Sequence, residues 1–186
     1  MLDPYFHKVI ALAKVAASFE QPSEIDWQAV ERDLEVPLPA DYKSLVSRLG
    51  TGCFGEFWLH NPVCTSHYGR LSRRLLMEFR EWHERDALGI PLFPDADGYV
   101  WLGSLPNHMD LLLCPGRDSS APYRLVWFEA DGPSLHDIPM TLCQFLHDLY
   151  FGLLHTDWSD YVRGLVWAPD EVFFTPRPGV RRDAHA

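Results

Sequence analysis

Residues 38–59 read LPADYKSLVSRLGTGCFGEFWL, and this stretch decides the fold: a proline-opened helix, a glycine-broken turn, then an aromatic strand. Pro39 suits the first position of a helix, where a missing N–H leaves no bond unmade. Asp41 follows in the first turn, which the helix dipole favours. Tyr42, Leu45, Val46 and Leu49 recur at i, i+3, i+4 and i+7, a complete apolar face. Gly50 is placed to end the helix. Gly52 and Gly55 give the backbone freedom to reverse tightly, and FGEFWL is aromatic enough for a strand.

Upstream, residues 4–18 carry Tyr5, Phe6, Val9, Ile10, Leu12 and Ala13 at helical spacing, and EQPS breaks the pattern. A second helix is expected from Ser23 as N-cap, with Glu24 and Asp26 in its first turn and Trp27, Val30 and Leu34 on its buried stripe. VPLP stops it. Downstream, residues 71–85 read as a helix with Leu71, Leu75, Phe79 and Trp82 on one side, and with Arg74–Glu78 and Glu81–Arg85 able to pair. Trp27, Trp82 and Trp127 are expected in the core. LFPDADGYVWLGSL holds a turn at Asp95–Gly98 and then a strand. DLLLC and YRLVWFEAD are further strands, and IPMTLCQFLHDLYFGLL closes with a helix. The order predicts an α+β domain, an antiparallel sheet of four to six strands with helices packed on it. The expected organisation is an N-terminal helical extension at 1–22, the α+β domain at 23–156, and a C-terminal extension at 157–186 ending in a mobile tail.

The chain of 186 residues is 47% hydrophobic with seven tryptophans, a globular composition able to bury a core. Cys53, Cys64, Cys114 and Cys143 are scattered without zinc-ligand spacing. Asp3 and Pro4 stand where a signal peptide would be basic, and no apolar run is long enough to cross a membrane. A cytoplasmic protein with reduced thiols is expected. Net charge is −10 and uneven: residues 91–160 hold ten acids against Arg117 and Arg124. Such a surface repels phosphate backbones and attracts basic proteins, so direct nucleic-acid binding is not expected.

Few motifs suggest chemistry. GTGCFGEF lacks the Lys-Ser/Thr of a phosphate loop, and its glycines follow a helix instead of opening one. His108–Asp110 and His155–Asp157 have the H-x-D spacing of a facial triad, but such enzymes need more strands than the sequence offers. His147 and Asp148 are consecutive on a helix and are expected to point apart. No G-x-S-x-G elbow occurs. DAD at 95–97 lacks the rest of a calcium loop. These readings predict no catalytic residues, no metal and no cofactor. Trp101, beside the acidic turn, reads either as core or as an aromatic anchor for a partner.

IDWQAVERDLEVPLPADYKSLVSRLGTGCFGEF (25–57), LFPDADGYVWLGSL (92–105) and MTLCQFLHDLYFG (140–152) resemble, in order, the opening helices and glycine turn, the proline–glycine–tryptophan strand region and the closing helix of the SUKH superfamily. The resemblance covers about 25–155; the N-terminal helix, the 61–92 region and the chain beyond about 156 depart from it. It implies a non-catalytic binding domain of the bacterial immunity type, neutralising a cognate toxin by occlusion. A basic toxin domain, such as a nuclease or deaminase, is the expected partner. The alternative is a regulatory or scaffold domain that binds a cellular protein other than a toxin. Charge density, not any family motif, nominates Asp95, Asp97, Asp118, Glu129, Asp131 and Asp137 as contact residues, together with Trp101. Nothing in the sequence selects between monomer and homodimer.

Overall fold

The structure, a computed structural model, describes residues 3–13, 24–55, 57–84, 90–95, 97–105, 109–115, 123–129, 134–154 and 174–176. Its helices are α1 (Phe6–Ala13), α2 (Trp27–Leu34), α3 (Ala40–Leu49), α4 (Arg73–Glu84) and α5 (Leu142–Tyr150). Its strands are β1 (Gly52–Phe54), β2 (Phe57–Leu59), β3 (Val100–Leu105), β4 (Met109–Cys114), β5 (Arg124–Glu129), β6 (Ser134–Ile138) and β7 (Phe174–Pro176). All the described strands join one antiparallel sheet in the order β6-β5-β4-β3-β2-β1-β7, a meander extended at the β1 edge by β7. The α+β expectation holds, with seven strands in place of four to six.

Helices cover both faces of the sheet. Successive residues of a strand point to opposite sides. On β5, Trp127 meets Phe145 of α5 while its neighbour Phe128 meets His83 of α4. One face therefore packs on α5, which gathers α1 and α3 around it, and the other packs on α4. Both faces are covered: Leu111, Leu112 and Leu113, consecutive on β4, are all fully buried. The run DLLLC lacks a polar alternation for this reason.

Asp41 locks the first layer. It lies in the first turn of α3, but its Oδ2 accepts from the Leu142 and Cys143 amides of α5, at 2.9 and 3.4 Å, and from the Tyr123 hydroxyl at 2.7 Å. The carboxylate thus satisfies orphan donors at the start of another helix. Thr141 caps the same helix through the Gln144 amide, at 3.2 Å.

Several local expectations are corrected. α2 begins at Trp27, with Asp26 as N-cap accepting from the Ala29 amide; Ser23 lies outside the described residues. FGEFWL is not one strand but a hairpin, with Phe54 opposite Phe57 and Gly55 at φ 58°. Gly52 serves β1 and not the turn: a Cβ there would come within 2.2 Å of the Phe174 ring, so the glycine admits β7. That strand arises where a mobile tail was expected to begin. SLHDI, unassigned from sequence, is the edge strand β6. Trp82 is 44% exposed, so of the three expected core tryptophans only Trp127 is fully buried; Trp27 is half-buried against Tyr42.

Candidate partner-binding site

A cleft of about 250 Å³ opens where the end of α2 faces the turn before β3. Both walls follow from local chain chemistry. Leu34 ends α2, Glu35 takes a left-handed conformation at φ 56°, and Pro37 prevents continuation. Glu31 holds this corner onto α3 by accepting from the Leu38 amide and Lys43 Nζ, each at 2.7 Å. Opposite, Asp95 and Gly98 close a turn through the Gly98 amide and Asp95 carbonyl at 2.9 Å, with Asp97 at φ 60°. Phe93, Pro94, Pro37, Val36 and Pro115 give the cleft apolar walls, and Glu35, Asp95 and Asp97 supply its charge.

Two arginines of α4 brace it. Arg80 Nη1 reaches Asp95 at 2.7 Å and the Leu92 carbonyl at 3.3 Å. Arg73 lies over the Phe93 ring, 5.4 Å from its centre, and 3.7 Å from Glu35. Among the described residues Asp97 has no ion-pair partner, so the lining keeps an acidic excess. Apolar walls with acids at the rim accept the alkyl stem and cationic head of a lysine or arginine.

The nominated contact residues separate. Asp95 and Asp97 line the cleft. Asp137, on β6, pairs with Arg124 at 3.4 Å, and Arg124 also reaches Tyr99 Oη at 3.3 Å, which puts Asp137 at the same end of the sheet. Glu129 ends β5 opposite Met109 and Ser134, roughly 17 Å from that end at the usual strand rise. Asp118 and Asp131 lie outside the described residues, as do His108, His155 and Asp157. Trp101 is only 8% exposed; its indole donates to Asp110 Oδ1 at 2.8 Å and its ring stacks on Phe79. It belongs to the α4 seat, away from any surface a partner could grip. Glu35, Arg73 and Arg80 were missed: the Arg73–Glu35 and Arg80–Asp95 pairs join elements far apart in sequence.

A second polar group, also missed, lies beneath α4. Asp110, Trp101, His83 and His60 meet between α4 and the sheet. His83 Nε2 is 3.9 Å from Asp110 Oδ2, and the His60 ring sits 4.2 Å from the Trp101 ring. Burial pushes the Asp110 carboxyl up to about 7 despite the indole bond. Burial likewise pushes His60 down to about 3, opposed by its contact with the Gly69 backbone. An acid at the head of an otherwise apolar strand was the available signal.

Other candidate groups read as structural. Burial, then the neighbouring Asp41 charge, raises the Cys143 thiol well above its ordinary range and keeps it protonated. Cys53 and Cys64 are buried. His147 and Asp148 do bond, Nδ1 to Oδ1 at 2.8 Å, correcting the expectation that they diverge. The imidazole lies between the Tyr5 and Phe151 rings, tying α1 to the end of α5.

Among the described residues no helix is long and apolar enough to cross a membrane. Comparison of the chain with family models, with curated proteins and with solved structures finds no match to any of them.

Proposed function

We propose that this chain is a non-catalytic binding domain of the SUKH kind, and that it neutralises a basic toxin domain by docking it at the α2/93–98 cleft and its acidic surroundings. The cleft carries this reading. Its apolar walls offer a seat, and its three acids outnumber its two bracing arginines. Complementary charge of this kind accelerates encounter and selects against acidic partners. The buried thiols and the tightly packed Asp110 group serve the scaffold, while the exposed chemistry serves recognition. The domain acts in the cytoplasm, before the toxin reaches its substrate.

The test is affinity capture with the tagged chain at low and moderate salt, followed by reconstitution of the captured protein with the purified wild type and with Glu35→Gln/Asp95→Asn/Asp97→Asn. The expected result is a basic, toxic protein whose activity the wild type suppresses and which the triple variant binds more slowly. Equal association rates for the two chains, unmoved by salt, would overturn the cleft assignment. A stable non-toxic partner bound through the same cleft would make the chain a regulatory scaffold instead.

A further inference from the structure

The helix that braces the cleft is the same helix that covers the buried acid. α4 sends Arg73 and Arg80 to the rim, where they meet Glu35, Phe93 and Asp95. Its last turn sends His83 inward to Asp110 and Phe128. Phe79, just before Arg80, stacks on Trp101 at 4.5 Å. Any change in how well α4 sits on the sheet therefore reaches the cleft.

The seat depends on charge. Asp110 is 6% exposed, and its side chain faces Trp101 from β3, His83 from α4 and Phe128 from β5, with the His60 ring against that of Trp101. Among the described residues, no lysine or arginine forms an ion pair with it; Arg80, one turn earlier on α4, is bonded to Asp95. One indole N–H is a thin complement for a buried carboxylate, which is stable in such a place only when protonated or when a neighbouring cation balances it. His83, within 4 Å, can supply that balance by carrying the proton itself.

We propose that Asp110 and His83 hold one proton between them beneath α4, and that its loss to solvent above neutral pH loosens α4 from the sheet and slackens the cleft that Arg73 and Arg80 brace. With the proton, the group is either a neutral acid beside a neutral imidazole or a carboxylate beside an imidazolium. Without it, a bare carboxylate faces an indole and a neutral ring. Lifting α4 then hydrates the charge. The upward displacement of the Asp110 carboxyl towards neutrality agrees with this geometry. The link to partner binding rests on the cleft being the docking site, but the proton-linked movement does not.

Hydrogen exchange on the whole chain, free of any partner and corrected for the intrinsic pH dependence of exchange, tests it. In the wild type, the opening constant of α4 amides is expected to rise roughly fourfold more than that of α3 amides between about pH 6.5 and pH 8, the change one proton near neutrality allows. Amides of the 92–98 turn should follow α4. Asp110→Asn keeps an acceptor for Trp101 and removes the proton site, so the excess should vanish. The contact of His67 with Glu78 of α4 is common to both proteins and cancels in the comparison. Equal pH dependence of α3 and α4 in the wild type, or its persistence in Asp110→Asn, would overturn the proton-linked seat. Opening of α4 without the 92–98 turn would overturn its link to the cleft.

Discussion

Asp41 and Asp110 are buried to nearly the same extent, 7% and 6% exposed, and live in opposite chemistry. Asp41 meets three donors, two of them amides at the start of α5, where the helix dipole adds to the attraction. Among the described residues Asp110 meets one donor, the Trp101 indole, with an imidazole at ion-pair range. Depth alone therefore does not decide what a buried carboxylate does. The supply of donors does: one aspartate fastens α3, the approach to β5, and α5 together, while the other leaves the α4 seat sensitive to protons.

The sharpest way to break this contrast is Asp41→Ala. It takes the acceptor from the Cys143 amide and the Tyr123 hydroxyl and leaves the Leu142 amide only the Tyr123 oxygen, and the loss should be about 4 kcal/mol, a large part of a domain's whole margin. Urea unfolding at neutral pH would measure it. Asp110→Asn, under the same conditions, should cost little, because an amide oxygen can still accept from Trp101. A similar loss for both would erase the distinction.

The Asp41 contact shows where sequence reading stops. The α3 face, the stop at Gly50 and the stripe of α5 were legible because they are periodic and local, and so were the strands around Trp101 and Trp127. Asp41 was legible only as a first-turn acid of its own helix; its real partners lie about a hundred residues away. Gly52 looked like a turn glycine because the ring it makes room for, Phe174, comes near the end of the chain. β6 escaped notice because SLHDI is short and half-exposed. Asp95 and Asp97 were found from charge density, whereas Glu35 and the bracing arginines needed the fold. Glu129 was grouped with them by the same charge density and sits at the other end of the sheet.

The pH dependence of stability sharpens the contrast further, since Asp110 and His60 pull in opposite directions. Asp110 has a raised folded value, so the stability it contributes is full below about pH 4 and is lost as pH rises through about 7. His60 has a lowered one, so its contribution is full above about pH 6.5 and is lost as pH falls towards about 3. Between roughly pH 4 and 6.5 the two slopes oppose each other. Above that window only Asp110 acts, and the wild type should lose about 0.8 kcal/mol by pH 8. Asp110→Asn should instead gain stability up to about pH 6.5 and then level off. His60→Gln should decline steadily across the whole range. Chemical denaturation at half-unit pH steps distinguishes these shapes, and parallel curves for all three proteins would remove both residues from the account.

The smallest effect belongs to the cleft, and its smallness is informative. Arg80–Asp95 and Arg73–Glu35 are ion pairs with partly exposed members, a class worth at most about 1 kcal/mol each and screened by salt. Glu35→Gln/Asp95→Asn/Asp97→Asn should therefore shift the urea midpoint only slightly, by less than about 1 kcal/mol of stability, and should leave the pH profile of Asp110 in place. Surface acids retained with so little effect on folding are the ones free to be spent on a partner. If the triple variant were instead destabilised as severely as Asp41→Ala, the cleft would be part of the fold's framework, and the acids would have to be read as structural, like Asp41.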